Sequence, residues 1–263
     1  MPELPDVEVF RQYMASTAFH KKISAATVFS KEMLESVSAP QLKKTLEGQT
    51  LESGLRHGKY LFTETSNGPW LVLHFGMTGF LKYFKDPDHQ PSHTRFLLDF
   101  ANGYHLAYDC QRKLGMMSLT DAPGDFIRKS QLGPDALDPD LDVDQFEQMV
   151  KETTATIKST LMNQNRIAGI GNIYSDEMLF QAGIHPGARS QDLSKTEIKR
   201  LYGELKKVLQ KAIEARADPN RFPHSFIIPH RRTDRVCPKC SGDIENAKIA
   251  GRTAYFCPRC QQK

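Results

Sequence analysis

Asp121-Ala-Pro-Gly-Asp-Phe-Ile-Arg-Lys-Ser-Gln-Leu-Gly-Pro-Asp-Ala-Leu-Asp-Pro-Asp-Leu-Asp-Val-Asp144 is the stretch on which the architecture of this chain turns. Proline, glycine and aspartate crowd it, most densely in Leu132-Gly133-Pro134-Asp135 and Asp138-Pro139-Asp140, and such a composition breaks regular structure. Residues 121–144 therefore read as an interdomain linker. At 263 residues the chain exceeds the usual size of one domain, so a boundary near its middle is expected.

Upstream of the linker, residues 1–120 read as one domain. Pro5 sits where a first helical turn tolerates proline, and Val7, Phe10 and Met14 then recur at helical spacing, so a helix begins directly after the N-terminal residues. From Lys21 to Thr120 short β-branched and aromatic runs take over, with Asn67-Gly68 and Asn102-Gly103 suited to tight hairpin turns, the texture of an antiparallel β domain. Downstream, residues 145–232 read as helical: first through Phe146, Met149 and Val150, then Ile157 to Met162, then Tyr174 to Gln181 with Gly183 and Pro186 as the stop. A last helix starts at Ser194, which can cap while Glu197 reaches back, and carries Ile198, Leu201, Leu205, Val208, Leu209 and Ile213 on one face. Its other face bears Lys199, Arg200, Lys206, Lys207 and Lys211, which reads first as a solvated face.

The net charge of +4 decides nothing about a nucleic-acid partner. The first ten residues hold Glu3, Asp6 and Glu8 and no apolar signal core, and no run approaches the roughly eighteen apolar residues of a membrane span, so a soluble, cytoplasmic protein is expected. Of five cysteines, four form Cys237-Pro-Lys-Cys240 and Cys257-Pro-Arg-Cys260, sixteen residues apart, and Cys110 stands alone. That spacing lets two knuckles on a β-hairpin present four thiolates tetrahedrally, so residues 233–263 read as a zinc ribbon holding one structural Zn2+. Four protein ligands leave no open position for chemistry. Lys239, Lys248, Arg252 and Arg259 decorate it, as contacts to phosphate require.

Once Met1 is trimmed, Pro2 offers a secondary amine. Such an amine can attack C1′ of a damaged nucleotide and form an iminium that acidifies the 2′ protons. An α-amino group of ordinary pKa near 8 keeps a neutral fraction at neutral pH, and the positive end of the following helix enlarges it. Glu3 is placed to exchange protons with the sugar oxygen or water.

Pro2-Glu-Leu-Pro-Asp-Val-Glu8, His74-Phe-Gly-Met-Thr-Gly79, Gly169-Ile-Gly-Asn-Ile-Tyr174 and the ribbon together resemble the formamidopyrimidine-DNA glycosylase and endonuclease VIII family over essentially the whole chain. Gly58-Lys59-Tyr60, Leu132-Gly133-Pro134, Gly183-Ile-His-Pro186 and Gly251-Arg252 follow in the same order. The resemblance implies an α+β fold: an N-terminal antiparallel β-sandwich flanked by helices, then a helical domain with a helix-two-turn-helix and the β-hairpin zinc ribbon, with DNA in the cleft between. It further implies a monomeric base-excision-repair enzyme acting on double-stranded DNA that contains an oxidised base or abasic site. Pro2 then matches the nucleophile, Glu3 the acid/base catalyst and Lys59 a lysine near the lesion and its phosphates. Asn172 and Arg252 match phosphate clamps around the extruded nucleotide; Met77, Arg112 and Leu114 match side chains that enter the duplex and face the orphaned base; His74 matches a histidine near the DNA backbone.

Departures bear on substrate. Asp6 stands where the family usually has glutamate to help hold the sugar, and Leu114 where readers of oxidised purines usually carry phenylalanine. Residues 217–232, with Phe222, Phe226, Arg221, Arg231 and Arg232, lack the Gly- and Thr-rich loop that caps oxidised guanine in some relatives. Ring-opened and oxidised purines are the expected substrates, with oxidised pyrimidines as the alternative. Two readings from other classes compete: a noncatalytic zinc-ribbon protein that binds damaged DNA, which requires Met1 to stay attached, and an N-terminal-proline tautomerase, which leaves the ribbon without purpose.

Overall fold

A computed structural model describes residues 1–262. The chain divides into two compact units, residues 1–131 and residues 132 onward.

In the first unit α1 (Leu4–Thr17) carries Pro5 in its first turn and buries Val7 and Met14 completely. Two four-stranded antiparallel sheets follow from β1 (Ile23–Val28), β2 (Leu51–His57), β3 (Tyr60–Thr65), β4 (Trp70–His74), β5 (Gly79–Phe84), β6 (Thr94–Phe100), β7 (His105–Cys110) and β8 (Met116–Thr120), with α2 (Ala39–Leu46) between β1 and β2. Their strand orders are β1-β6-β7-β5 and β2-β3-β4-β8. Strand β6 shows the governing period of two, burying Thr94, Phe96, Leu98 and Phe100 while the residues between stay half-exposed. Leu61, Leu71, Leu73 and Met117 of one sheet share a core with Ile23, Leu81, Phe96, Leu98 and Leu106 of the other, which makes the pair a sandwich, and Met14 and Leu46 bring α1 and α2 onto it.

Asn102-Gly103 does turn β6 into β7: Gly103 has φ +78° and the Asn102 side-chain carbonyl accepts the Tyr104 N–H at 3.1 Å. Asn67-Gly68 lies in the connection 66–69, as long as 101–104, but without a positive φ at its glycine; there the Thr65 hydroxyl donates to the Pro69 carbonyl at 2.9 Å. Pro123–Lys129, inside the stretch whose composition argued against regular structure, form the short helix α3. Phe126 accounts for it: its half-buried ring packs edge-on against Tyr60 and Phe62 at 5.2 and 5.6 Å, and these aromatic contacts outweigh local preference.

The second unit contains α4 (Val143–Lys151), α5 (Ile157–Met162), α6 (Asn172–Ala182) and α7 (Lys195–Glu214), then the hairpin β9 (Glu245–Ile249) and β10 (Arg252–Phe256). Ser194 caps α7 with Glu197 returning to the Ser194 N–H at 2.8 Å, and Gly183 ends α6 with φ +66°. On α7 the buried stripe closes with Ala212, while Ile213 stays half-buried. Of its basic face, Arg200 caps the Ala182 carbonyl at 2.6 Å and Lys206 donates to the Asp138 carbonyl at 2.8 Å, so part of that face is structural.

Residues 132–136 run along the turn between α5 and α6. Gly133 N–H donates to the Gln164 carbonyl at 2.9 Å, Ala168 N–H to that of Pro134 at 2.8 Å, and Ala136 N–H to that of Ala168 at 3.0 Å. A Cβ on Gly133 would stand 2.5 Å from the Arg166 carbonyl oxygen and 2.8 Å from that of Asn165. Gly133→Ala must therefore push two backbone segments apart, and we expect it to lower the stability of this unit by about 1–3 kcal/mol in urea unfolding, with the transition of the first unit unmoved.

Candidate functional site

Pro2 and Glu3 stand at the head of α1. Glu3 occupies the N-cap and is fully buried, and its N–H donates to the Asp6 carboxylate at 2.9 Å in a capping-box arrangement. Asp6 is thus committed to the helix end rather than free to reach a sugar. Burial raises its pKa to about 6, against the lowering influence of the Glu3 N–H. Met1 is 40% exposed, so the residue whose removal frees the Pro2 amine is accessible.

Lys59 lies in the tight turn Gly58-Lys59 between β2 and β3, where Gly58 has φ +56°. The first residue of β3, Tyr60, pairs with His74 across β4, their rings 4.8 Å apart. The His74 Nδ1 accepts the Gly76 N–H at 3.3 Å, and burial, joined by the Lys59 charge, lowers the His74 pKa to about 4. His74 is therefore a neutral imidazole at physiological pH, a hydrogen-bonding group and not a cation.

Met77, Arg112 and Leu114 come together on two adjacent loops. Gly76 has φ +57°, and a Cβ there would collide with the Leu114 carbonyl, so only glycine lets the loop 75–78 lie against 111–115. Thr78 Oγ1 accepts the Arg112 N–H at 3.1 Å, and the Tyr108 hydroxyl donates to the His74 carbonyl at 2.8 Å. Leu114 is 52% exposed and so is not a core side chain. Cys110, at the end of β7, is buried with Thr78 Oγ1 3.9 Å from its sulfur.

In the second unit the chain between α5 and α6 is stapled by Gln164, whose amide donates to the Met162 and Ile170 carbonyls at 2.8 Å and accepts the Gly169 N–H at 3.0 Å. Gly169 needs its φ of +112°. Asn172 opens α6, and its buried Oδ1 has no hydrogen-bond partner, an amide oxygen left over by the fold itself. Arg252 is exposed beside the turn Ala250-Gly251, both of positive φ.

Behind these two residues lies a cluster that sequence reasoning missed. Lys158 of α5 is wholly buried and bonds the Asp176 carboxylate at 2.5 Å, the Ser175 hydroxyl at 3.0 Å and the Asn172 carbonyl at 3.1 Å. Arg231 grips the other Asp176 oxygen at 2.8 and 3.0 Å and reaches the Asn172 carbonyl at 3.3 Å, while the Tyr255 N–H of β10 also donates to Asp176 at 3.1 Å. The hint in the sequence was a lysine and an aspartate among the apolar positions of two helices, Ile157, Leu161, Met178 and Leu179.

The sulfurs of Cys237, Cys240, Cys257 and Cys260 all lie within 4.8 Å of one another, with Cys237 to Cys260 at 3.8 Å and Cys240 to Cys257 at 3.5 Å. Four sulfurs about 2.3 Å from one zinc ion would be about 3.8 Å apart, so the donor set fits a single tetrahedral Zn2+. Phe180, Ile227 and Ile244 form the small apolar floor beneath it.

An antiparallel sandwich headed by Pro-Glu, a helix-two-turn-helix and a four-cysteine ribbon define the class. Residues 1–117 match the formamidopyrimidine-DNA glycosylase N-terminal domain, residues 132–223 the corresponding H2TH domain, and residues 236–263 a zinc finger found in FPG and IleRS. A formamidopyrimidine-DNA glycosylase of Geobacter metallireducens is 33% identical over 99% of this chain and 100% of its own, and one of Streptococcus pyogenes is 33% identical over 100% and 99%. The chain also matches the structure of a Lactococcus lactis FPG variant in complex with Fapy-dG containing DNA, with a TM-score of 0.90, 32% identity and full coverage of both. A second match is the L. lactis Fpg with abasic-site DNA, with a TM-score of 0.89 and 30% identity over 99% of this chain and 100% of that one. The chain belongs to the formamidopyrimidine-DNA glycosylase family.

Two outcomes follow from this geometry. In NMR titration the His74 imidazole should stay neutral until about pH 4; because an unfolded histidine takes its proton near 6.5, its contribution to stability is complete above that pH and is lost as pH falls toward 4. Asp176→Ala strands the buried Lys158 cation and frees the part-buried Arg231, so it should cost the second unit about 3–5 kcal/mol by denaturant unfolding, and Lys158→Met in the same chain should recover part of that loss.

Proposed function

We propose that this protein is a bifunctional DNA glycosylase and abasic-site lyase of base-excision repair, with ring-opened and oxidised purines, formamidopyrimidines and 8-oxoguanine, as substrates. The observation that carries the reading is the head of α1, where a terminal Pro-Glu pair is held rigidly with the carboxylate of Glu3 buried. After loss of Met1, the Pro2 nitrogen attacks C1′ as the bond to the damaged base breaks, and Glu3 passes a proton to the ring oxygen of the opening sugar. The iminium makes a 2′ proton acidic; its removal expels the 3′ phosphate, a second elimination releases the 5′ phosphate, and water frees the amine. Lys59 stabilises phosphate charge near the lesion.

C1′ can be reached only when the nucleotide leaves the stack, which costs roughly a few kcal/mol that protein contacts must offset. Asn172, through its side-chain amide N–H donors and its helix N-terminal position, and Arg252 on the ribbon are assigned to the flanking phosphates. Met77, Arg112 and the exposed Leu114 enter the duplex, and neutral His74 donates to the backbone. The zinc ion, held by the four cysteines, keeps the ribbon folded and takes no part in the reaction. Oxidised pyrimidines are the alternative substrates: Phe222, Phe226 and Ile227 are buried in their own unit, which argues against a dedicated cap over one particular base. Among the described residues no helix is long and apolar enough to cross a membrane. A thiolate zinc site suits a reducing compartment, and on that ground we place the enzyme in the cytoplasm with the DNA.

Borohydride reduction on a duplex with an abasic site should trap a covalent adduct that disappears in protein with a blocked N-terminus, with Pro2→Gly, which keeps a primary terminal amine, run beside it for comparison. Glu3→Gln should lose excision of the damaged base. No adduct from processed, zinc-loaded protein would leave a damage-binding module as the better account. Affinity for undamaged duplex should fall by roughly one log unit per log unit of salt for each phosphate neutralised, and a flat response would count against DNA as the ligand.

A further inference from the structure

The helix that carries Pro2 and Glu3 and the hairpin that carries Lys59 are separate elements, and something must register one against the other. Helix α1 packs on β2 closely enough that a Cβ on Gly54 would meet the Phe19 ring at 2.9 Å and the Arg11 side chain at 3.1 Å. Two residues further along β2, Arg56 turns a side chain only 9% exposed toward α1, with its Nε 3.5 Å from the Glu8 carboxylate, itself 15% exposed. The Nη1 of the same guanidinium donates at 3.2 Å to the carbonyl of Gly58, the residue that opens the Lys59 turn. Glu8 is held in turn by Arg11 at 2.6, 3.0 and 3.1 Å and by Gln12 at 3.0 Å.

We propose that Arg56 is a positioning residue for the lyase reaction, bridging Glu8 of α1 and the Gly58 carbonyl so that Lys59 keeps a fixed register with the Pro2–Glu3 end of the helix. The proposal rests on the roles given above to Pro2, Glu3 and Lys59. Glu8 lies five residues along α1 from Glu3, about 7.5 Å of helix, and Arg56 three residues before Lys59, so the bridge stands back from the reacting atoms and acts through both elements. Its purpose is not to hold α1 on the sandwich. Val7 and Met14 are fully buried there, and the Tyr13 hydroxyl accepts the Tyr83 N–H of β5 at 2.8 Å. Near-buried ion pairs add little net stability over apolar replacements, whereas the planar guanidinium sets a direction through its hydrogen bond to the Gly58 carbonyl while its charge faces Glu8. A misplacement of about 1 Å at a reacting group can cost on the order of a hundredfold in rate.

The test is single-turnover borohydride trapping with saturating abasic duplex, run on Arg56→Met, Arg56→Lys and Glu8→Gln, with duplex affinity measured separately and His74 followed by NMR. We expect trapping to slow roughly tenfold to a hundredfold in Arg56→Met and Glu8→Gln at unchanged affinity, with Arg56→Lys recovering part of the rate. The His74 pKa should rise from about 4, because the Lys59 charge that helps depress it has moved away. Wild-type trapping rates in both Arg56→Met and Glu8→Gln would overturn the proposal. So would a slower rate with an unmoved His74 titration and no advantage of lysine over methionine, the pattern of general destabilisation. If Arg56→Met does not fold, Glu8→Gln, nearly the same shape, decides alone. Persistent trapping by protein with a blocked N-terminus would instead overturn the assignment of the nucleophile, whatever the Arg56 variants do.

Discussion

Burying the carboxylate of Asp176 obliges four parts of the second unit to converge. A carboxylate cannot be taken out of water unless its oxygens are met by donors, and here they are met by Lys158 of α5, Arg231 of the segment after α7 and the Tyr255 N–H of the ribbon. The helix that supplies Asp176 is the one Asn172 begins, and the strand that supplies Tyr255 is the one Arg252 begins. One charge therefore ties together two side chains otherwise far apart in the chain, and the ribbon, too small to own a core, borrows its orientation from a helix. Gln261 extends the same attachment by donating to the Ile184 carbonyl at 2.9 Å.

The first unit solves its geometry by close backbone approach. Gly54 lets α1 settle on β2, Gly76 lets the loop 75–78 touch the loop 111–115, and Gly115 passes beneath the Tyr108 hydroxyl where a Cβ would collide. Each contact stands beside a position assigned a role: the helix of Pro2 and Glu3, the loop of Met77, the loop of Arg112 and Leu114. Rigid strands thus carry short connections whose shape is set by sterics, so that a half-exposed apolar side chain such as Leu114 is held out toward solvent without its loop collapsing onto the core.

Local pattern made much of this legible. The period of two in β6, the capped stripe of α7 and the glycine stop of α6 are consequences of covalent geometry and could be read directly. Where prediction and structure parted, packing or a competing hydrogen-bond partner was responsible. Phe126 finds Tyr60 and Phe62, and so a helix forms in a stretch of breaking composition; Ala212 displaces Ile213 from the buried stripe as α7 reaches its end. Asp6, placed by alignment of motifs near the sugar, is drawn to the Glu3 N–H three residues away.

The sequence by itself determined the chemistry: which residue can be a terminal amine, which four thiolates can share a metal, and which ordered motifs place the chain in its family. Those depend on residue identity and short spacing, which the chain carries unaltered into any conformation. Only the tertiary structure decided protonation and direction. Whether His74 is charged depends on burial and on Lys59, whether Asn172 keeps a spare acceptor depends on what surrounds it, and whether Lys158 and Arg231 are surface charges or buried bolts depends on Asp176. Each is a matter of dielectric and distance between groups remote in sequence, and neither quantity exists until the chain has folded.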